Sequence, residues 1–262
     1  MKFDLTGCPE IDPGGLLLLM YHGLELKKRG WGTYLGGLGG TVKQVLLNLD
    51  HYLAPKDARA SFDAPPGDFL LRGIDGKESM VAELMAWART VQQATQASDE
   101  RVALWQMQIA EVTTNGFQHG PRLGPMSGDL LINGKSYTER GEVQLAAIDF
   151  GAGIPRVIEI IGRPAKCVGD GDLIAYACEK GVTSRCVPQN QGAGLDSLIQ
   201  TVRSSGGRLL MLSNNGLLYT AADEQQVRNL KPRKKYGDQV LNGTLTVINL
   251  RIRSDDRACQ GH

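Results

Sequence analysis

Glu111 and Asn115 stand four residues apart in the stretch Ser98–Gly120, SDERVALWQMQIAEVTTNGFQHG. At helical spacing this puts a carboxylate and a carboxamide one turn apart on one face. Such a pair could offer a base and an oxygen ligand to a phosphate–metal group. A solvated polar stripe has the same spacing, so the pair decides nothing alone. A second group follows at Asp149-Phe150-Gly151-Ala152-Gly153-Ile154, directly after the apolar run Val143–Ile148. A carboxylate at a strand end can accept from a ligand amino group while two glycines let the backbone pass close by. Turn formation explains an aspartate and two glycines equally well. The third group runs from Gly181 through Thr183, Ser184 and Arg185 to Gly192-Ala193-Gly194-Leu195. Glycines opening a helix expose unpaired N–H groups, an anion site, and here two hydroxyls and a cation lie at the same end of the loop.

Two familiar phosphate loops are excluded. No G-K-[ST] occurs, so there is no Walker loop. A dinucleotide fingerprint after Val143–Ile148 fails because Pro155 and Arg156 fill the positions where its third glycine belongs.

The elements that must position these groups are legible as periodicities. Ser98 predicts a helix cap, with Asp99 and Glu100 suited to the positive helix end. Val102, Trp105, Ile109, Val112 and Gly116 then form one apolar stripe. Gln108 and Gln118 share the polar rhythm without a chemical role and read as structural or solvent-facing. Residues 78–97 predict a preceding helix with Met80, Leu84, Trp87 and Val91 on one side. Strands are expected at 129–133, 142–149 and 244–252, and helices at 171–180 and 195–204. Asn214-Asn215-Gly216, between apolar runs at 209–213 and 217–220, predicts a hairpin. Residues 1–70 read as a small α/β unit: a strand at Phe3–Leu5, a helix opened by Asp12 or Pro13 and ending near Lys28, a strand at Trp31–Leu35 and a helix over 42–53. Ala64-Pro65-Pro66-Gly67 then marks a boundary.

Taken in order, E-x-x-x-N at Glu111/Asn115, D-x-G-x-G at Asp149/Gly151/Gly153, G-x-G-L at Gly192/Gly194/Leu195, and Gly243-Thr244 opening the last strand resemble the motifs of GHKL ATPases. EVTTNGFQHG is most similar to the form found in anti-sigma serine kinases. The resemblance spans about residues 78–254. It implies an α/β fold, a two-layer sandwich of the Bergerat type, that binds ATP and Mg²⁺. By the same resemblance Asn115 would hold the metal and Glu111 would orient or deprotonate the attacking water or hydroxyl. Asp149 would accept from the adenine amino group, with Thr244 supporting it through water. Gly151, Gly153 and Ile154 would line the adenine pocket. Residues 155–191 would form a nucleotide lid, with Thr183 and Ser184 among its donors, and Gly192, Gly194 and Leu195 would lie at the phosphates.

The first seventy residues resemble the STAS domains of anti-sigma factor antagonists. The family's phosphorylatable hydroxyl is missing from the loop Asp12-Pro13-Gly14-Gly15, which implies a docking or scaffold version. The expected organisation is therefore a STAS-like segment over 1–70, a linker and helix over 71–97, an ATP-binding domain over 98–254 and a tail over 255–262.

Composition bounds the functional classes. The 262 residues are 42% hydrophobic and 22% charged, ordinary for a globular chain. Twenty-nine Lys and Arg against 28 Asp and Glu leave no global field toward nucleic acid or membrane. The run Lys231-Pro232-Arg233-Lys234-Lys235 reads as a solvated loop rather than a nucleic-acid patch. Leu16–Met20, the longest apolar run, falls far short of the ~20 residues of a membrane span. Five cysteines without CxxC spacing fit a reducing cytoplasm.

The function expected is that of a Mg·ATP-binding regulator acting on a protein partner of STAS or sigma type, as an anti-sigma-like switch or a serine/threonine kinase, with a homodimer compatible. The alternatives are an ATP-hydrolysing conformational switch or clamp without protein-kinase activity, and a nucleotide-sensing scaffold. A sensor histidine kinase is not expected, because His51-Tyr52-Leu53-Ala54-Pro55 has the wrong acidic neighbour and proline spacing for a phosphoacceptor box.

Overall fold

The computed structural model describes residues 2–4, 10–30, 34–36, 69–72, 77–119, 130–182, 194–232 and 239–251. The chain begins with β1 (Lys2–Asp4), α1 (Pro13–Lys28) and β2 (Tyr34–Gly36), the two strands pairing in parallel. Asp12 caps α1, its Oδ1 accepting from Gly15 N at 2.6 Å, and Pro13 takes the first helical position. After β3 (Phe69–Arg72), α2 (Lys77–Thr95) and α3 (Asp99–His119) form a helical pair. Next come β4 (Leu130–Tyr137), β5 (Glu142–Asp149), α4 (Ile154–Gly162), α5 (Asp170–Ala177) and α6 (Gly194–Ser204). Strands β6 (Arg208–Asn214), β7 (Gly216–Ala221), β8 (Glu224–Asn229) and β9 (Leu241–Arg251) complete the described chain.

Seven strands make one antiparallel sheet in the order β3-β4-β5-β9-β6-β7-β8. Strand β9 follows the others in sequence yet lies at the centre, between β5 and β6. Register aligns one row of residues across it: Leu130 opposite Asp149, Asp149 opposite Thr244, Thr244 opposite Ser213, and Ser213 opposite Gly216.

Side chains alternate between the two faces of a sheet, and both faces are apolar. Ile132, Leu145, Met211 and Ile248 point to one face and bury Met80, Leu84, Trp87 and Val91 of α2, Val102, Trp105, Ile109 and Val112 of α3, and Leu198 and Val202 of α6. The α2 and α3 stripes are those their spacing predicts. Ala146, Ile148, Leu212 and Leu245 point to the other face, where they meet Leu16, Leu17, Met20, Tyr21 and Leu24 of α1. The expected two layers thus gain a third. Helix α1, expected within a separate unit over 1–70, packs across the sheet because these strands are apolar on both sides.

Other differences have local causes. Strand β8, Glu-Gln-Gln-Val-Arg-Asn, has no sequence signal of a strand, because an edge strand facing solvent needs no apolar alternation. Gln108 is buried, not solvent-facing: it lies three residues after Trp105 and four before Val112, on the apolar stripe itself. The helix expected over 42–53, the boundary at Ala64–Gly67 and the tail over 255–262 lie outside the described residues. Among the described residues no helix is long and apolar enough to cross a membrane.

Candidate functional site

Strand alternation decides which groups share a face. Asp149 follows Val143, Leu145 and Ala147 by steps of two; Thr244 precedes Thr246 and Ile248; Ser213 follows Leu209 and Met211. All three therefore project toward the layer that contains α3 and α6, at one end of the sheet.

Asp149 is buried, and its Oδ1 accepts from Gly151 N at 2.9 Å. Burial pushes its carboxyl up to about 7, while hydrogen bonds from the Gly151 and Thr244 backbones and the Thr244 hydroxyl act in the opposite sense. A carboxylate withdrawn from water without a cationic partner is costly to maintain, and such environments concentrate at functional sites.

Ser213 ties the surrounding loops together. Its Oγ accepts from Ile154 N at 2.9 Å, donates to Gly243 O at 2.8 Å and lies 3.0 Å from Thr244 Oγ1. It thereby holds the start of α4 against the opening of β9. Gly153 has φ +80, and a Cβ there would strike Asn214 Oδ1 and lie 2.8 Å from Ser213 Oγ. Glycine is required twice over, for its backbone angle and for the close approach. Asn214 has φ +51, and its Oδ1 is buried without a hydrogen-bond partner among the described residues. Neither Ser213 nor Asn214 was expected at the site. The available signal was Ser213 on the Leu209–Met211 face of a strand ending in an Asn-Asn-Gly turn.

Glu111 and Asn115 lie on α3, half-buried, and Asn115 Nδ2 donates to Glu111 Oε1 at 2.8 Å. That bond turns the carboxamide oxygen away from the carboxylate. Gly116, next along the helix, approaches Leu130, the residue paired with Asp149. The helix is thus seated over the Asp149 row. Gly194, the first residue of α6, lies so near Glu111 that an added Cβ would overlap the carboxylate, 2.6 Å from its Cδ. The structure therefore brings together Glu111, Gly194 and Leu195 at one helix junction, and Asp149, Gly151, Gly153, Ile154 and Thr244 at the strand ends. Thr183, Ser184 and Gly192 lie outside the described residues.

Of the segment expected as a lid, 155–191, the described part up to residue 182 packs against the strand hairpins. Helices α4 and α5 share a core of Ile158, Cys167, Leu173 and Ala177. Asp170 Oδ2 accepts from Asn215 N at 2.9 Å, and Asn229 Oδ1 accepts from Gly171 N at 2.7 Å, fixing α5 to the β6–β8 hairpins. Among the described residues no group of three or more His, Cys, Asp and Glu could hold a metal ion.

No family model matches the chain, and no curated protein matches it.

Proposed function

We propose that this chain is a Mg·ATP-binding regulatory protein of the GHKL type that acts on a protein partner as an anti-sigma-like switch or serine/threonine kinase. The observation that carries the reading is the row Asp149–Thr244–Ser213, which projects a buried carboxylate and two hydroxyls toward the layer of the Glu111–Asn115 helix. A buried acceptor beside hydroxyls suits the amino edge of a purine. The junction of α3 and α6, with helix N–H groups at Gly194, suits phosphates. The donor set also fits the metal: Asn115 Oδ1 is one neutral oxygen ligand, and Mg²⁺ usually takes few protein ligands and completes its shell with phosphates and water. In this reading Asn115 would hold the ion, which neutralises phosphate charge during transfer, and Glu111 would act on the attacking hydroxyl.

Calorimetry with Mg·ATP tests the reading. The wild-type protein binds and Asp149→Asn does not, because the amide turns a donor toward the purine amino group. Unchanged affinity in the variant overturns the assignment. Incubation with γ-labelled ATP and candidate protein partners then reads transfer directly: label on a partner marks a kinase, and free phosphate alone marks a switch.

A further inference from the structure

Tyr21 lies on the face of the sheet opposite the proposed ligand site, yet it touches both segments that frame Asp149. The residue is 3% exposed, in the third turn of α1. Its hydroxyl oxygen accepts from Asn242 N at 2.7 Å, joining residues 221 apart in the chain. Its ring stacks on Phe150, with centroids 5.7 Å apart and planes at 27°. Asn242 is two residues before Thr244, and Phe150 immediately follows Asp149. Between them Gly243 passes so close to Asp149 O that an added Cβ would overlap it. One side chain therefore grips the ends of the two adjacent strands whose paired residues, Asp149 and Thr244, form the acceptor and its hydroxyl support.

We infer that Tyr21 is a positioning residue for ligand selection: by holding Asn242 and Phe150 from behind, it sets the spacing of Asp149 and Thr244 and makes α1 part of the device that recognises the purine amino group. The inference rests on the nucleotide reading above. Its physical basis is that a hydrogen bond and a ring contact fix the two strand ends independently of the front of the pocket. The Asn242 N–H would otherwise be an unpaired donor beside the sheet. Burial raises the Tyr21 hydroxyl to about 12, so the contact persists unchanged across the pH range in which the protein would bind a nucleotide.

The test compares ATP with inosine triphosphate, which lacks the amino group, in wild-type protein and Tyr21→Phe. This variant keeps the ring against Phe150 and removes the oxygen. The wild-type protein is expected to prefer ATP, and in Y21F the ratio of the two affinities falls about fivefold, the scale of one hydrogen bond. A general loss of structure would lower both affinities together and leave the ratio alone. Amide exchange at Asn242 is measured in parallel and is expected to quicken in Y21F. Phe150→Leu removes the ring contact while keeping the hydroxyl, and is expected to lower the same ratio. A wild-type protein with no preference overturns the nucleotide reading and this inference with it. A preference kept intact in both variants overturns the inference alone.

Discussion

Asn115 Nδ2 donates to Glu111 Oε1 across one turn of α3, so the carboxamide holds the carboxylate in place and turns its own oxygen away from it. The two side chains are consequently not interchangeable. Glu111→Gln keeps an oxygen for Asn115 to donate to and removes only the basic group. Mg·ATP binding by calorimetry is expected to survive in E111Q while phosphate release falls about 100-fold or more, the scale of general-base loss. Loss of binding and turnover in equal measure would mean that Glu111 holds the ligand rather than acting on it.

Asp149 makes stability depend on pH in an unusual sense for a carboxylate. In the folded protein it keeps its proton up to about pH 7, against an ordinary value of 3.8. Between those values the folded state binds more protons than the unfolded state, so stability falls as pH rises through this window and levels above about 7. The drop from this group amounts to about 4 kcal/mol. Asp149→Asn carries no charge at any pH, so its urea midpoint should exceed the wild-type midpoint at pH 8 and match it more nearly at pH 4.

Ser213→Ala removes an acceptor for Ile154 N and a donor to Gly243 O. Both partners are left in a largely buried setting, and the expected cost is about 1–3 kcal/mol in chemical denaturation. Mg·ATP affinity should fall as well, since the loop carrying Gly151 and Gly153 loses its tie to β9. A variant as stable as wild type would show that other bonds hold the loop.

Leu17 is fully buried between α1 and the sheet. Leu17→Ala is expected to cost about 2–5 kcal/mol, the usual range for a large-to-small core change. If α1 belongs to the same cooperative unit as the sheet, amide exchange along β5 quickens with that of α1. Protection of β5 that stays at its wild-type level would instead mark α1 as a separable layer.

Much of the α3 layer was legible because its residues obey local rules. Val102, Trp105, Ile109 and Val112 recur at helical steps and are buried. The turn at Asn214 was legible because asparagine tolerates the left-handed angle it adopts, φ +51. The placement of α1 was not legible. Leu16 to Met20 are apolar without periodicity, so they state that the helix is buried but not against what. Ser213 was equally silent, since its partners come from segments 59 and about 30 residues away. Gln108, read as structural or solvent-facing, is buried: three residues after Trp105 and four before Val112, its spacing places it inside although its side chain is polar.

The central position of β9 has a consequence for how the protein is made. Strands β5 and β6 leave the ribosome before the strand that joins them, so each first exposes an unpaired edge. Asp149 and Ser213 cannot become neighbours of Thr244 until residues 241–251 have been synthesised and inserted between the two halves. The row that joins Asp149, Thr244 and Ser213 is therefore completed only by that insertion.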